Sequence, residues 1–233
     1  MSEIELIKSL NAYVGLSTNF DNAMVYLADF YPLKMLPSVI ILCWFWFSKK
    51  TSNCTKNREI IIKGVVGSFL AMFVARILSK ILPFRLRPLH DSGLLLNIPD
   101  SLPSWALTGW SSMPSDNATL GFALATIILL IHFEWGIFAF LQVLFLVCFP
   151  RVYLSLHYPT DIIIGGILGM VVVYATIKMN LLNPIINKVL SFKNNYPKSF
   201  YIVAAALFIE LIMMFKISRA CIRYMLIYFN IDL

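Results

Sequence analysis

The sequence predicts an all-α integral membrane protein, a bundle of five or six transmembrane helices with an active site at its outer face. Three observations predict it. Of the 233 residues, 59% are hydrophobic and 13% are charged, about half the charge of an ordinary soluble domain. The apolar residues come in blocks, at 35–47, 64–75, 118–131, 135–149, 162–177 and 200–215. Each is a little short of the ~20 residues that cross a bilayer until its flanks extend it. Six helices that are apolar all round could not be covered inside a soluble protein of this size.

Residues 1–30 are amphipathic and interrupted by Asp21 and Asp29, with Pro32 just beyond. Such a segment lies on the membrane surface or adds one poor helix. The loop after the first block carries Lys49, Lys50, Lys56, Arg58 and Lys63. The stretch after the fifth block carries Lys178, Lys188, Lys193 and Lys198. The positive-inside rule makes both cytoplasmic, and alternation puts residues 80–114 and 151–161 outside. Lys216, Arg219 and Arg223 run against this scheme unless the last block stops short of crossing. Blocks three and four are separated only by His132, Phe133 and Glu134, which implies a tight antiparallel hairpin. The start of one arm and the end of the other therefore share one end of the bundle. In the outer loop, Trp105 and Trp110 suit anchoring at headgroup depth. The net charge of +7 is mostly loop lysine and fits anionic lipid rather than nucleic acid. The four cysteines are scattered and show no metal or disulfide spacing, so no cofactor is expected.

The reactive groups gather in three strings: Lys80-x6-Arg87-Pro88, Pro114-Ser115-Asp116-Asn117 and Arg151-x5-His157-x3-Asp161. His157 and Asp161 share a face if the segment is helical. A carboxylate that takes one imidazole proton fixes the tautomer and leaves the other nitrogen able to attack phosphorus. The same pair would also cap a helix. Lys80, Arg87 and Arg151 supply positive charge of the kind that stabilises phosphoryl transfer. Ser115 stands at a helix start, where free N–H groups and a hydroxyl hold an anion, and where ordinary N-capping also occurs. His90, Arg76 and Glu210 are further ionisable candidates, while His132 falls at the opposite membrane face.

Taken together, the three strings resemble the type-2 phosphatidic acid phosphatase superfamily, to which the vanadium haloperoxidases look like soluble relatives. The text around Ser111–Asp116 and Tyr153–Asp161 is most similar to the bacitracin-resistance-type undecaprenyl diphosphatases. The resemblance implies that His157 is the nucleophile, that Asp161 orients it, and that Lys80, Arg87, Ser115 and Arg151 hold the phosphoryl oxygens. It divides the chain into an amphipathic segment (1–30), a helical phosphatase core (31–180) and a C-terminal loop, membrane helix and tail (181–233). It implies a lipid phosphatase of the bacterial inner membrane that converts undecaprenyl diphosphate to undecaprenyl phosphate through a phosphohistidine, in cell-wall building.

Asn117 departs from the family, which places there a histidine that protonates the leaving group. An amide cannot transfer a proton at neutral pH. Three explanations fit: a substitution that silences the enzyme, a variant with a different chemical demand, or a non-catalytic lipid-binding paralogue. A diphosphate expels a weakly basic phosphate and depends less on that acid than a phosphomonoester does. The strings do not specify the headgroup. Phosphatidic acid, phosphatidylglycerol phosphate or lipid A phosphatases, and a lipid phosphotransferase, remain alternatives.

Overall fold

The computed structural model describes residues 2–48, 54–103 and 106–228; Lys49, Lys50, Trp105 and the Arg223 side chain lie outside them. The described residues are helical, with no strand. They divide into two units, Met1–Asn180 and Leu181–Leu233.

The first unit opens with α1 (Glu3–Asn11), capped by Ser2 and Glu5 in a reciprocal capping box, and α2 (Thr18–Asp29), capped by Ser17. Next come α3 (Tyr31–Phe47) and α4 (Cys54–Ile81), then α5 (Asp116–Ile131) and α6 (Phe133–Gln142). A π-helical stretch, Val143–Cys148, joins α6 to α7 (Phe149–Tyr153), and α8 (Pro159–Lys178) follows. Pro150 explains the π stretch. Proline lacks an N–H and its ring clashes with the carbonyl four residues back, and a wider turn relieves that clash. The second unit holds α9 (Asn183–Asn195), α10 (Pro197–Ile212) and α11 (Lys216–Tyr228).

Among the described residues three helical stretches are long and apolar enough to cross a membrane: Cys54–Ile81, Phe133–Tyr153 and Pro159–Lys178. α2 and α3 pass the same test as a pair bent by 60°, which gives up to four spans rather than the expected five or six. α5 falls short at 16 residues, about 24 Å. Its position accounts for its apolarity. Leu120, Ala123, Leu124, Ile127 and Ile128 are fully buried, and α3, α4, α6 and α8 all pack on it. It is the central post of the unit. Phe73 on α4, Phe138 on α6 and Ile167 and Val171 on α8 face outward, as lipid-facing side chains do.

Glycine sets the closest approach. A Cβ on Gly165 of α8 would stand 2.6 Å from the Ser115 carbonyl oxygen, and one on Gly169 would strike the Thr119 carbonyl. This small-xxx-small stripe lets α8 touch the backbone of α5 at the end where Ser115 sits. At the other end, α5 turns at His132 into α6, giving the expected hairpin. The N-terminal helices cover the Ser115 end. Met24, Val25 and Ala28 of α2 pack with Leu89, Leu102, Tyr153, Leu154 and Leu156. The Tyr153 hydroxyl donates to Asp21 Oδ1 at 2.6 Å, and Asn11 exchanges two hydrogen bonds with the backbone of Asn97.

Candidate active site

Four chain segments converge at one end of the bundle: the residues after α4, the start of α5, the end of α7 and the start of α8. α7 ends in a left-handed turn at Ser155 (φ 56°). That turn lets the N–H groups of Leu156 and His157 both reach back to the Arg151 carbonyl. The Ser155 carbonyl in turn accepts from Leu89, two residues beyond Arg87. The strain of a non-glycine residue there is the local cost of holding His157 beside Arg87, about 1–2 kcal/mol.

His157 is buried, and its two ring nitrogens have different partners. Nδ1 lies 2.9 Å from the Ser112 carbonyl oxygen, and Nε2 lies 3.1 Å from Arg87 Nη1. A carbonyl can only accept and a guanidinium can only donate. The proton therefore sits on Nδ1, and the Nε2 lone pair points at Arg87. Burial pushes the imidazole pKa down to about 4; Arg87 and Arg151 push the same way, while Asp161 opposes them. The ring is neutral at physiological pH, with its nucleophilic nitrogen exposed to the cationic side of the site.

Asp161 stands in the first turn of α8, and His157 precedes that helix rather than sharing a face of it. Its Oδ2 lies 3.6 Å from Nδ1, outside direct hydrogen-bond range. The same oxygen accepts from Ser112 Oγ (2.5 Å) and the Tyr158 N–H (2.8 Å), while Oδ1 accepts from Arg85 (2.6 Å). Asp161 thus fixes Ser112, and the Ser112 carbonyl fixes the imidazole. Arg85 also donates to Thr160 and pairs with Glu3 of α1 at 2.6 Å.

On the other side of the ring stand Arg87 and Arg151. Arg87 donates to the carbonyls of Leu156, Ser111 and Trp110. Burial, with Arg151 adding to it, lowers its pKa to about 10, which leaves it charged. Arg151 Nη2 donates to the Ala28 carbonyl at 3.2 Å. Ser115 is the N-cap of α5, yet its hydroxyl makes no capping bond. Among the described residues three buried side-chain atoms have no hydrogen-bond partner: Ser115 Oγ, Asn117 Oδ1 and Arg151 Nε. Buried polar atoms without a partner are rare, and all three belong to the predicted set.

Lys80 is exposed on the last turn of α4, whereas Arg87 and Arg151 are buried. Arg76, one turn earlier, pairs with Asp116 at 2.5 Å and lies over the Trp110 ring. His90 Nε2 donates to the Ala106 carbonyl at 2.9 Å, and His132 stacks on Phe45 at the far end of α5. In the second unit, Glu210 accepts from the Ser218 N–H. Sequence reasoning missed Ser112 as the link between Asp161 and His157, and Arg85 as the partner of Asp161. Neither has a spacing signal of its own, because both act through chain reversals far from the residues they contact. Among the described residues no three His, Cys, Asp or Glu side chains come together as a metal site requires.

The PAP2 superfamily model matches residues 62–184. The chain is 26% identical over 139 residues to the putative undecaprenyl-diphosphatase YbjG of Escherichia coli (strain K12), a match covering 60% of this chain and 63% of that protein. It is 29% identical over 149 residues to the bacitracin transport permease protein BcrC of Bacillus licheniformis, covering 64% and 66%. The chain thus spans a little under two thirds of the length of either relative. No solved structure matches it. The family model spans more than half the chain and contains every residue that surrounds His157 in the three strings, so the protein belongs to the PAP2 superfamily.

Proposed function

We propose that the protein is a membrane lipid phosphatase that hydrolyses undecaprenyl diphosphate to undecaprenyl phosphate at the outer face of a bacterial inner membrane. One observation carries the chemistry: the Nε2 lone pair of His157 faces Arg87 while Nδ1–H is held by the Ser112 carbonyl. In the first step Nε2 attacks the terminal phosphorus, the bridging P–O bond breaks, and its electron pair leaves with the lipid phosphate. Arg87, Arg151 and Ser115 take the equatorial oxygens, where charge builds up. In the second step water attacks the phosphohistidine, the P–N bond breaks, and inorganic phosphate leaves with neutral His157 restored. Lys80, exposed at the rim, meets the headgroup as it arrives. The name of the Escherichia coli relative supports the lipid substrate, and the apolar helices support the membrane setting.

Asn117 decides between substrates. General acid catalysis is worth typically about 10²–10⁴-fold, and Asn117 cannot supply it. The departing lipid phosphate needs no proton, whereas the alkoxide of a phosphomonoester does. The reading therefore expects turnover of a lipid diphosphate and slow hydrolysis of phosphatidic acid. Phosphate release from both lipids, measured on the native chain and on Asn117→His, tests it. The diphosphate should be cleaved by both forms, and the monoester efficiently by the histidine form alone. Activity confined to Asn117→His on both substrates would mark the native chain as a non-catalytic lipid binder.

A further inference from the structure

A buried lysine outside all three strings lies against the site. Lys34, in the first turn of α3, is 1% exposed. Its Nζ donates to the Ala28 carbonyl oxygen at 2.6 Å, the same oxygen that accepts from Arg151 Nη2. One carbonyl thus holds the two basic side chains side by side, with the Tyr31 ring 4.1 Å from the amine. The backbone there is pinned as well. Gln142 Nε2 donates to the Lys34 carbonyl at 2.9 Å, and Ser38 donates to Gln142 Oε1 at 3.1 Å. Among the described residues no carboxylate comes within ion-pair distance of Lys34, Arg151 or Arg87. Arg151, whose Nε is one of the three buried atoms without a partner, therefore shares its carbonyl with a second buried basic side chain.

A buried basic group without a direct ion-pair partner is costly to charge, and within a membrane protein it marks an ion or substrate path. A phosphomonoester carries about −1.5 to −2 near neutral pH, and a diphosphate has a further ionised oxygen. We propose that Lys34, held beside Arg151, forms the subsite for the second, lipid-bearing phosphoryl group, so that Lys34 makes the site selective for diphosphates over monoesters. The proposal rests on the lipid phosphatase reading above and assigns the half of the substrate that His157 does not attack. Arg87 and Ser115 hold the phosphoryl group in transfer. Lys34 then neutralises the phosphate that departs.

A purely structural role exists for the same contact. Lys34 caps the carboxyl end of α2 where the chain bends into α3, a favourable place for a cation. That role predicts lost stability and equal loss on every substrate. The test is kcat/KM of the full chain in detergent for a prenyl diphosphate and the matching prenyl monophosphate, in the native form, Lys34→Met and Lys34→Arg. Lys34→Met should lose roughly 10- to 100-fold on the diphosphate and under about 3-fold on the monophosphate, with Lys34→Arg recovering most of the loss. Equal losses on both substrates overturn the proposal. If Lys34→Met does not fold, calorimetric binding of inorganic pyrophosphate and orthophosphate to the native chain and Lys34→Arg decides. The native chain should favour pyrophosphate by about 10-fold or more, and Lys34→Arg should keep most of that preference; equal affinities in the native chain overturn the proposal. Binding needs no turnover, so a native chain that prefers pyrophosphate yet cleaves neither lipid sinks the phosphatase reading and leaves the subsite standing.

Discussion

The two sides of the His157 ring differ sharply. Behind Nδ1, every polar group has a partner: Ser112 binds both His157 and Asp161, and Asp161 also holds Tyr158 and Arg85. Beyond Nε2, among the described residues, Arg87 and Arg151 have no carboxylate within ion-pair distance, and Ser115, Asn117 and Arg151 each keep a buried atom unpaired. One side is finished by the fold and the other is suited to an anion. The orienting half has little freedom to lose, while the receiving half has unmet hydrogen-bonding capacity, as preorganised anion sites do.

The most direct way to break this contrast is at its centre. His157→Gln should abolish phosphate release by about 10⁴-fold or more and eliminate acid-labile phosphoenzyme in rapid-quench labelling with a ³²P-diphosphate lipid. Retained labelling would place the nucleophile elsewhere. On the receiving side, Arg87→Ala should cost about 10²–10³-fold in kcat, since it removes a donor to the charge that builds in transfer. On the orienting side the partners are redundant. Ser112→Ala removes one donor from Asp161 but keeps the carbonyl that fixes the imidazole, so kcat should fall only about 10-fold. A loss as large as that of Arg87→Ala would show that the two sides do not differ in the way described. Gly165→Ala probes their junction, because its Cβ would press on the Ser115 carbonyl. It should lower stability by about 1–3 kcal/mol in thermal unfolding and reduce activity with it.

Protonation sharpens the comparison at smaller amplitude. The buried imidazole has a pKa of about 4, below its unfolded value. Nε2 therefore stays unprotonated from neutral pH down to that region, and kcat/KM should show no inflection near 6.5 from this residue. The unfolded chain binds the proton first as pH falls. Stability should thus decline from about pH 6.5 toward pH 4 and then level off, as far as His157 contributes.

Much of this site was legible before the structure. The i, i+4 spacing of His157 and Asp161, the cations at Arg87 and Arg151, and the helix start at Ser115 all carry local signals, and the short link through His132 correctly folds their helices back to one end. Asp161 reaches the ring through Ser112, 49 residues away in the chain, and no periodicity reports such a contact. Lys34 was hidden for a different reason. It interrupts an apolar run without a motif, and a single lysine near a membrane edge reads as an interfacial anchor until its partners are known. The expected five or six spans exceed the three or four that pass by length and apolarity among the described residues, and one source of the difference is that apolarity also marks a fully surrounded helix. α5 is greasy because other helices enclose it, whatever its depth in the bilayer.

Glu3 deserves a biochemist's caution. Through Arg85 and Thr160 it ties the first turn of α1 to Asp161, which holds Ser112 against the His157 ring. A purification tag or fluorescent fusion joined just ahead of this helix would pull on that strut, so a dead preparation could reflect the handle rather than the protein; a handle at the other terminus leaves the strut alone.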